Sequence, residues 1–127
     1  MGKLENLCIK ETGESPRVEF SNGVLNIEGM SIVDDAVEFY KPVLDCLERY
    51  SKNPMALTQV NIKLAYFKTN TSRALLHIFH KLEEIYKQKD EVIINWNYKE
   101  GDEDMLEAGE DFYSILRVPF KFCTYKN

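Results

Sequence analysis

The sequence predicts a single α/β domain over residues 1–127, built on a mixed β-sheet with about three to four helices. Three observations predict it. Strand and helix patterns follow one another in the order β-β-α-β-α-β-α-β, which favours a layered α/β domain. Asn22-Gly23 lies between two short alternating runs, a strong hairpin signal. Residues Asn61 to His80, NIKLAYFKTNTSRALLHIFH, read as a buried strand, a polar turn and an amphipathic helix. Turns from a strand end into a helix are where α/β domains place their sites.

Taken in order, Leu4, Leu7 and Ile9 alternate weakly and suggest an edge strand over residues 4–10. The turn Thr12 to Pro16 follows from its Gly and Pro. Strands at 17–20 and 24–28 flank the Asn-Gly turn, and Gly29 closes the hairpin. Asp34-Asp35 open a helix, because carboxylates suit the positive end of the helix dipole. Its apolar face is Val37, Tyr40, Val43, Leu44 and Leu47. Pro42 removes a backbone donor inside that pattern and should kink the helix or split it.

The central strand spans about 57–67, with Ile62, Leu64, Tyr66 and Phe67 as the apolar residues that pin the following turn. A helix over about 71–89 presents Leu75, Ile78, Phe79, Leu82, Ile85 and Tyr86 at helical spacing. The strand at 91–98 begins with Val92-Ile93-Ile94, a run that suits a strand covered on both faces. An acidic turn leads to a helix at about 103–116. Gly109 within it costs about 1 kcal/mol relative to Ala, so it marks close packing. Residues 118–125 form an edge strand, where Pro119 is tolerated.

The chain has 127 residues, 44% of them hydrophobic and 29% charged, enough for a real core and a soluble surface. A net charge of -5 argues against a general grip on nucleic acid or on an anionic membrane. No apolar run approaches the ~20 residues of a spanning helix, and the N-terminus has no apolar signal core. Gly2 lacks the Ser or Thr at position 6 that a myristoylation signal requires. Cys8, Cys46 and Cys123 are far apart and lack C-x-x-C spacing. A reduced, cytoplasmic protein with structural cysteines is the expectation.

His77 and His80 lie off the apolar helix face and have no third ligand nearby in sequence, so no metal site is expected. The acidic run from Glu100 to Asp111 does not match a calcium loop, since the Gly and Glu that such a loop requires are absent from their places. It reads as a solvated helix start, with a docking surface for a basic partner as the second reading. No phosphate-binding Gly-rich loop, Ser-His-Asp order or nucleophile elbow is present. Nothing points to catalysis or to a cofactor.

The turn Lys68-Thr69-Asn70-Thr71-Ser72 is the candidate site. Capping of the helix by Asn70, Thr71 or Ser72 accounts for part of this composition. Capping does not require all the hydroxyls together. A phosphate here would add about -1.5 to -2 charges. A helix N-terminus tolerates that charge, whereas a partner packed on a neutral hydroxyl does not.

The residues also resemble a family, the SiaC-like bacterial regulatory phosphoproteins, over nearly the whole chain. The similarity rests on Tyr66-Phe67-Lys68-Thr69-Asn70-Thr71-Ser72-Arg73, on Trp96-Asn97-Tyr98, and on the segment from Asp102 to Phe112, DEDMLEAGEDF, with Pro119-Phe120 beyond it. The resemblance implies a fold similar to the STAS domains of anti-sigma-factor antagonists. It implies a non-catalytic switch, phosphorylated by a protein kinase on a threonine of the turn and dephosphorylated by a phosphatase. The unphosphorylated form would bind an output protein such as a diguanylate cyclase and so act on cyclic di-GMP and biofilm formation. Aligned without gaps, the phosphothreonine falls on Thr69, with Thr71 and then Ser72 as the alternatives. Lys68, Asn70, Thr71, Ser72 and Arg73 would contact partners. Lys68 replaces the family's usual Asn. The usual Ser-Tyr-Pro-Glu reads Ser31-Ile32-Val33-Asp34 here.

Overall fold

The computed structural model describes residues 6–126. The expectations for Gly2 and Leu4 lie outside them. The elements are β1 (Leu7–Ile9), β2 (Arg17–Ser21), β3 (Val24–Ser31), α1 (Ala36–Tyr50), β4 (Leu57–Phe67), α2 (Thr69–Lys87), β5 (Glu91–Lys99), α3 (Glu103–Ile115) and β6 (Phe120–Tyr125). They form one six-stranded sheet whose strand order follows chain order. The strands β1, β2 and β3 pair antiparallel, and β3 to β6 pair parallel. The sheet is therefore mixed, as the sequence predicts.

Each parallel crossover steps the same way across the sheet, and crossovers of one hand then lie on one face. Burial agrees: Thr58, Val60, Ile62 and Leu64 of β4 are buried, while Gln59, Asn61 and Lys63 between them are not. The helix-covered face holds the core, including Phe20, Ile27, Trp96 and Phe79. The other face is polar. Asn61 Nδ2 donates to Asn26 Oδ1 at 2.8 Å, and Asn95 Nδ2 donates to Asn61 Oδ1 at 2.9 Å, linking three strands in register. Strand β5 is thus covered on one face only, and Ile93 lies on the open face, half-buried. Its aliphatic run does not signal a second layer.

Asn22 and Gly23 make the β2–β3 turn, both at positive φ. Gly29 does not close that hairpin. It lies inside β3, at φ +124°, where the β3–β4 register slips between Gly29 and Met30. A Cβ there would stand 2.7 Å from a Glu11 carboxylate oxygen. Gly29→Ala is expected to cost about 1–3 kcal/mol by urea denaturation, since strained backbone and a displaced neighbour both oppose it. The slip gives β4 one extra residue. Tyr66 consequently points to solvent, 55% exposed, and Phe67 turns inward against Trp96 at 6.1 Å between ring centroids. Tyr66 therefore does not pin the turn.

Helix α1 is capped by Asp35, whose side chain accepts from the Glu38 amide at 3.0 Å. It runs through Pro42 as one helix. Pro42 is on the solvent side, where water can serve the carbonyl that loses its partner. The buried face is Ala36, Tyr40, Val43, Cys46, Leu47 and Tyr50. Val37 is not part of it, being 70% exposed. On α2, Leu75, Ile78, Phe79, Leu82 and Ile85 are buried, whereas Tyr86 is partly exposed. Helix α3 starts at an Asp102 cap that accepts from the Met105 amide at 3.0 Å. Gly109 lets α3 lie directly on the sheet: a Cβ would come within 2.5 Å of Trp96 Nε1, which donates to the Met105 carbonyl at 3.0 Å.

Candidate functional site

The turn sits where β4 leaves the sheet and α2 begins. The Lys68 amide donates to the Ser31 carbonyl at 3.1 Å, so the turn is hung from the end of β3. Helix α2 starts at Thr69, two residues earlier than the sequence predicts. Its cap residue is Lys68, in extended geometry, with no side-chain cap bond and no acidic residue in the first turn. Neither Asn70, Thr71 nor Ser72 caps it, which corrects the expectation from composition. Their side chains have other partners or sit past the cap position.

Thr71 is fully buried. Its hydroxyl lies 2.8 Å from Ser31 Oγ and donates to the Ser31 carbonyl at 3.3 Å. Ser31 Oγ lies 2.8 Å from the Tyr40 hydroxyl. This chain of hydroxyls ties β3, α1 and α2 together beneath the turn. A buried polar group without a partner costs about 1–3 kcal/mol, so the network fixes the turn only when complete. Asn70 Nδ2 donates to the Val33 and Asp34 carbonyls at 3.1 and 3.2 Å, anchoring the helix start to the β3–α1 loop.

Burial pushes the Tyr40 phenol up to about 12, the hydrogen bond with Ser31 lowering it by less. An unfolded tyrosine titrates near 10. The neutral form is thus favoured by folding. The associated stability is complete below about pH 10 and is lost as pH rises toward about 12. Over that window the wild type is expected to lose on the order of 2–3 kcal/mol beyond what Tyr40→Phe loses. Denaturant titrations of both proteins near pH 9 and above pH 11 measure it.

Thr69, by contrast, is exposed, on a ridge between two grooves. One groove, of about 360 Å³, lies between α2 and α3, with Leu76, Ala108, Phe112 and Ile115 as apolar lining and Ser72, Arg73 and Asp111 among the polar groups. The other, of about 420 Å³, lies between the start of α2 and residues Asp34 to Val37. Thr69 and Arg73 line both. Lys68 is half-buried and pairs with Asp34 at 3.9 Å, an exposed contact of little energetic weight. Ser72 is half-buried and Arg73 exposed.

The acidic run separates into roles. Asp102 caps α3, Asp111 borders the groove beside Thr69, and Glu103, Asp104, Glu107 and Glu110 are exposed. His77 and His80 are exposed as expected, and His80 Nδ1 contacts Glu83 at 2.9 Å. Among the described residues no group of three or more His, Cys, Asp or Glu side chains is placed to hold a metal. Cys8, Cys46 and Cys123 are not joined in disulfides, and Cys46 is buried. Among the described residues no helix is long and apolar enough to cross a membrane. Sequence reading missed Ser31 and Tyr40 as parts of the site's foundation. The signal available was a serine in phase with the buried residues Leu25 and Ile27 of β3.

The family description that matches residues 9–125 is that of the SiaC family regulatory phosphoproteins. This chain belongs to the SiaC family. An uncharacterized protein of Pseudomonas aeruginosa strain UCBPP-PA14 is 25% identical over 119 residues, covering 92% of this chain and 94% of the relative. The solved structure of SiaC of P. aeruginosa superposes with a TM-score of 0.87 at 24% identity, covering 94% of this chain and 98% of that one. A crystal structure of the diguanylate cyclase SiaD in complex with its activator SiaC, also from P. aeruginosa, contains a chain with TM-score 0.88 and 25% identity, covering 94% and 99%. The mixed α/β fold and a regulatory role are those of the SiaC family.

Proposed function

We propose that this SiaC-family protein is a non-catalytic cytoplasmic switch set by reversible phosphorylation of Thr69. In the modifying step a protein kinase joins the Thr69 oxygen to the γ-phosphoryl group of a nucleoside triphosphate. The hydroxyl proton and the nucleoside diphosphate leave, and a phosphatase returns the hydroxyl by hydrolysis. The observation that carries the assignment is the contrast within the turn: Thr69 is exposed on the ridge between the grooves, whereas Thr71 is buried and hydrogen-bonded. Ser72 is half-buried and borders one groove only.

The unmodified form binds the output partner, and a diguanylate cyclase is the partner class, because the similar SiaC is an activator of such an enzyme. The grooves offer apolar contact beside an uncharged hydroxyl. A phosphate would place about two negative charges there, next to Asp34, Asp35 and Asp111. Desolvating that charge opposes any partner that covers the ridge.

Binding to a diguanylate cyclase of the same organism tests the proposal with unmodified protein, Thr69→Ala and Thr69→Glu. Thr69→Ala is expected to bind like the unmodified chain and Thr69→Glu more weakly. Loss of binding by a folded Thr69→Ala would contradict the proposal. Equal binding by all forms, including enzymatically phosphorylated protein, would leave a constitutive interaction module.

A further inference from the structure

Helices α1 and α3 both begin with an aspartate that caps their amides, and α3 adds Glu103 and Asp104 in its first turn. Helix α2 begins without a side-chain cap and without an acid. Arg73 stands one turn after Thr69 on this helix, at the i, i+4 spacing that brings side chains together. The favourable order has the anion N-terminal to the cation, as it would be here. Arg73 is exposed, lines both grooves and makes no ion pair among the described residues, whereas Lys68 lines neither groove and makes only a weak contact with Asp34. The other charged groups bordering the grooves at this point are the carboxylates of Asp34, Asp35 and Asp111.

Resting on the Thr69 reading, we infer that Arg73 is the phosphate receptor within the chain: phosphorylated Thr69 is held in cis by the Arg73 guanidinium across the ridge between the two grooves. A guanidinium fits phosphate through paired N–H donors, and the free amides at the start of α2 add to it. The consequence is a double change. Phosphorylation brings a dianion to the ridge and withdraws the one cation that both grooves share. A carboxylate of a partner that pairs with Arg73 in the unmodified state loses its counter-charge at the same time.

The test uses full-length protein carrying genetically encoded phosphothreonine at position 69, so that it does not depend on a kinase. Phosphorus NMR titration reads the second ionisation of the phosphate in the wild-type background and in Arg73→Gln and Arg73→Lys. A guanidinium nearby favours the dianion, so the wild-type value is expected below the ordinary value of about 6. Arg73→Gln should shift it upward toward about 6, and Arg73→Lys should fall between. Circular dichroism confirms that each variant is folded, as expected for an exposed residue. Identical phosphate titration in all three proteins would overturn the inference. Binding of the same phosphoprotein to the cyclase separates the two ideas: tight binding despite a shifted titration refutes the Thr69 switch and leaves the Arg73 contact standing.

Discussion

Phosphothreonine at position 69 is expected to weaken binding to the proposed cyclase partner by roughly 5- to 150-fold, the usual range for a regulatory coupling. The estimate follows from where the charge goes. Thr69 borders both grooves, so any partner filling either one meets the phosphate. The apolar lining from Leu76, Ala108, Phe112 and Ile115 keeps water away from a bound partner, which raises the cost of burying a charge there even beside Arg73. Three carboxylates already border the grooves, so the added charge meets like charges. Calorimetric titration of the two forms measures the ratio. Part of the loss should disappear at high salt, because the exposed portion of the repulsion is screened. A mimic with a single carboxylate carries less charge and lacks the phosphate's geometry, so Thr69→Glu should show only part of the effect. The fold itself should tolerate either change, since an anion in the first turn of a helix is stabilising by about 0.3–1 kcal/mol.

The second large effect is structural. Gly109→Ala is expected to destabilise the protein by about 1–3 kcal/mol, although alanine is the better helix former by about 1 kcal/mol. The new Cβ would lie 2.5 Å from Trp96 Nε1, 2.6 Å from Trp96 Cδ1 and 2.9 Å from Phe122 Cε2. Trp96 is fully buried and holds the Met105 carbonyl at 3.0 Å. Moving it would break that bond and disturb its contacts with Phe112 and Phe120, at 5.6 and 6.1 Å between centroids. Thermal unfolding should show a Tm lower by roughly 10 °C. Because α3 supplies one wall of the groove beside Thr69, partner affinity should fall as well. An unchanged Tm would mean that α3 can lift off the sheet at no cost, contrary to the packing described.

Much of this was legible from the residues. The Asn22-Gly23 turn, the strand and helix on either side of the Thr69 turn and the tight packing at Gly109 each follow from a local signal. A two-residue or 3.6-residue period reports which face is buried, and glycine reports where backbone must come close. Three things were not legible. The register slip beside Gly29 depends on how β3 and β4 pair, so it reversed the roles of Tyr66 and Phe67. The uncapped start of α2 depends on Asn70 and Thr71 finding partners in β3 and the β3–α1 loop, about 40 residues away in sequence, instead of at their own helix end. The Tyr40–Ser31–Thr71 chain is likewise a product of the fold: each residue alone is an ordinary polar or aromatic residue, and only the parallel pairing of β3 with β4 brings them together.

The most direct measurement is phosphopeptide mass spectrometry across Phe67 to Arg73, on protein isolated from its native cells and on purified protein incubated with a co-encoded kinase. The account predicts phosphate on Thr69, and its loss in Thr69→Ala. Phosphate on the buried Thr71 or on Ser72, or none on Thr69 under any growth condition or kinase treatment, would contradict it.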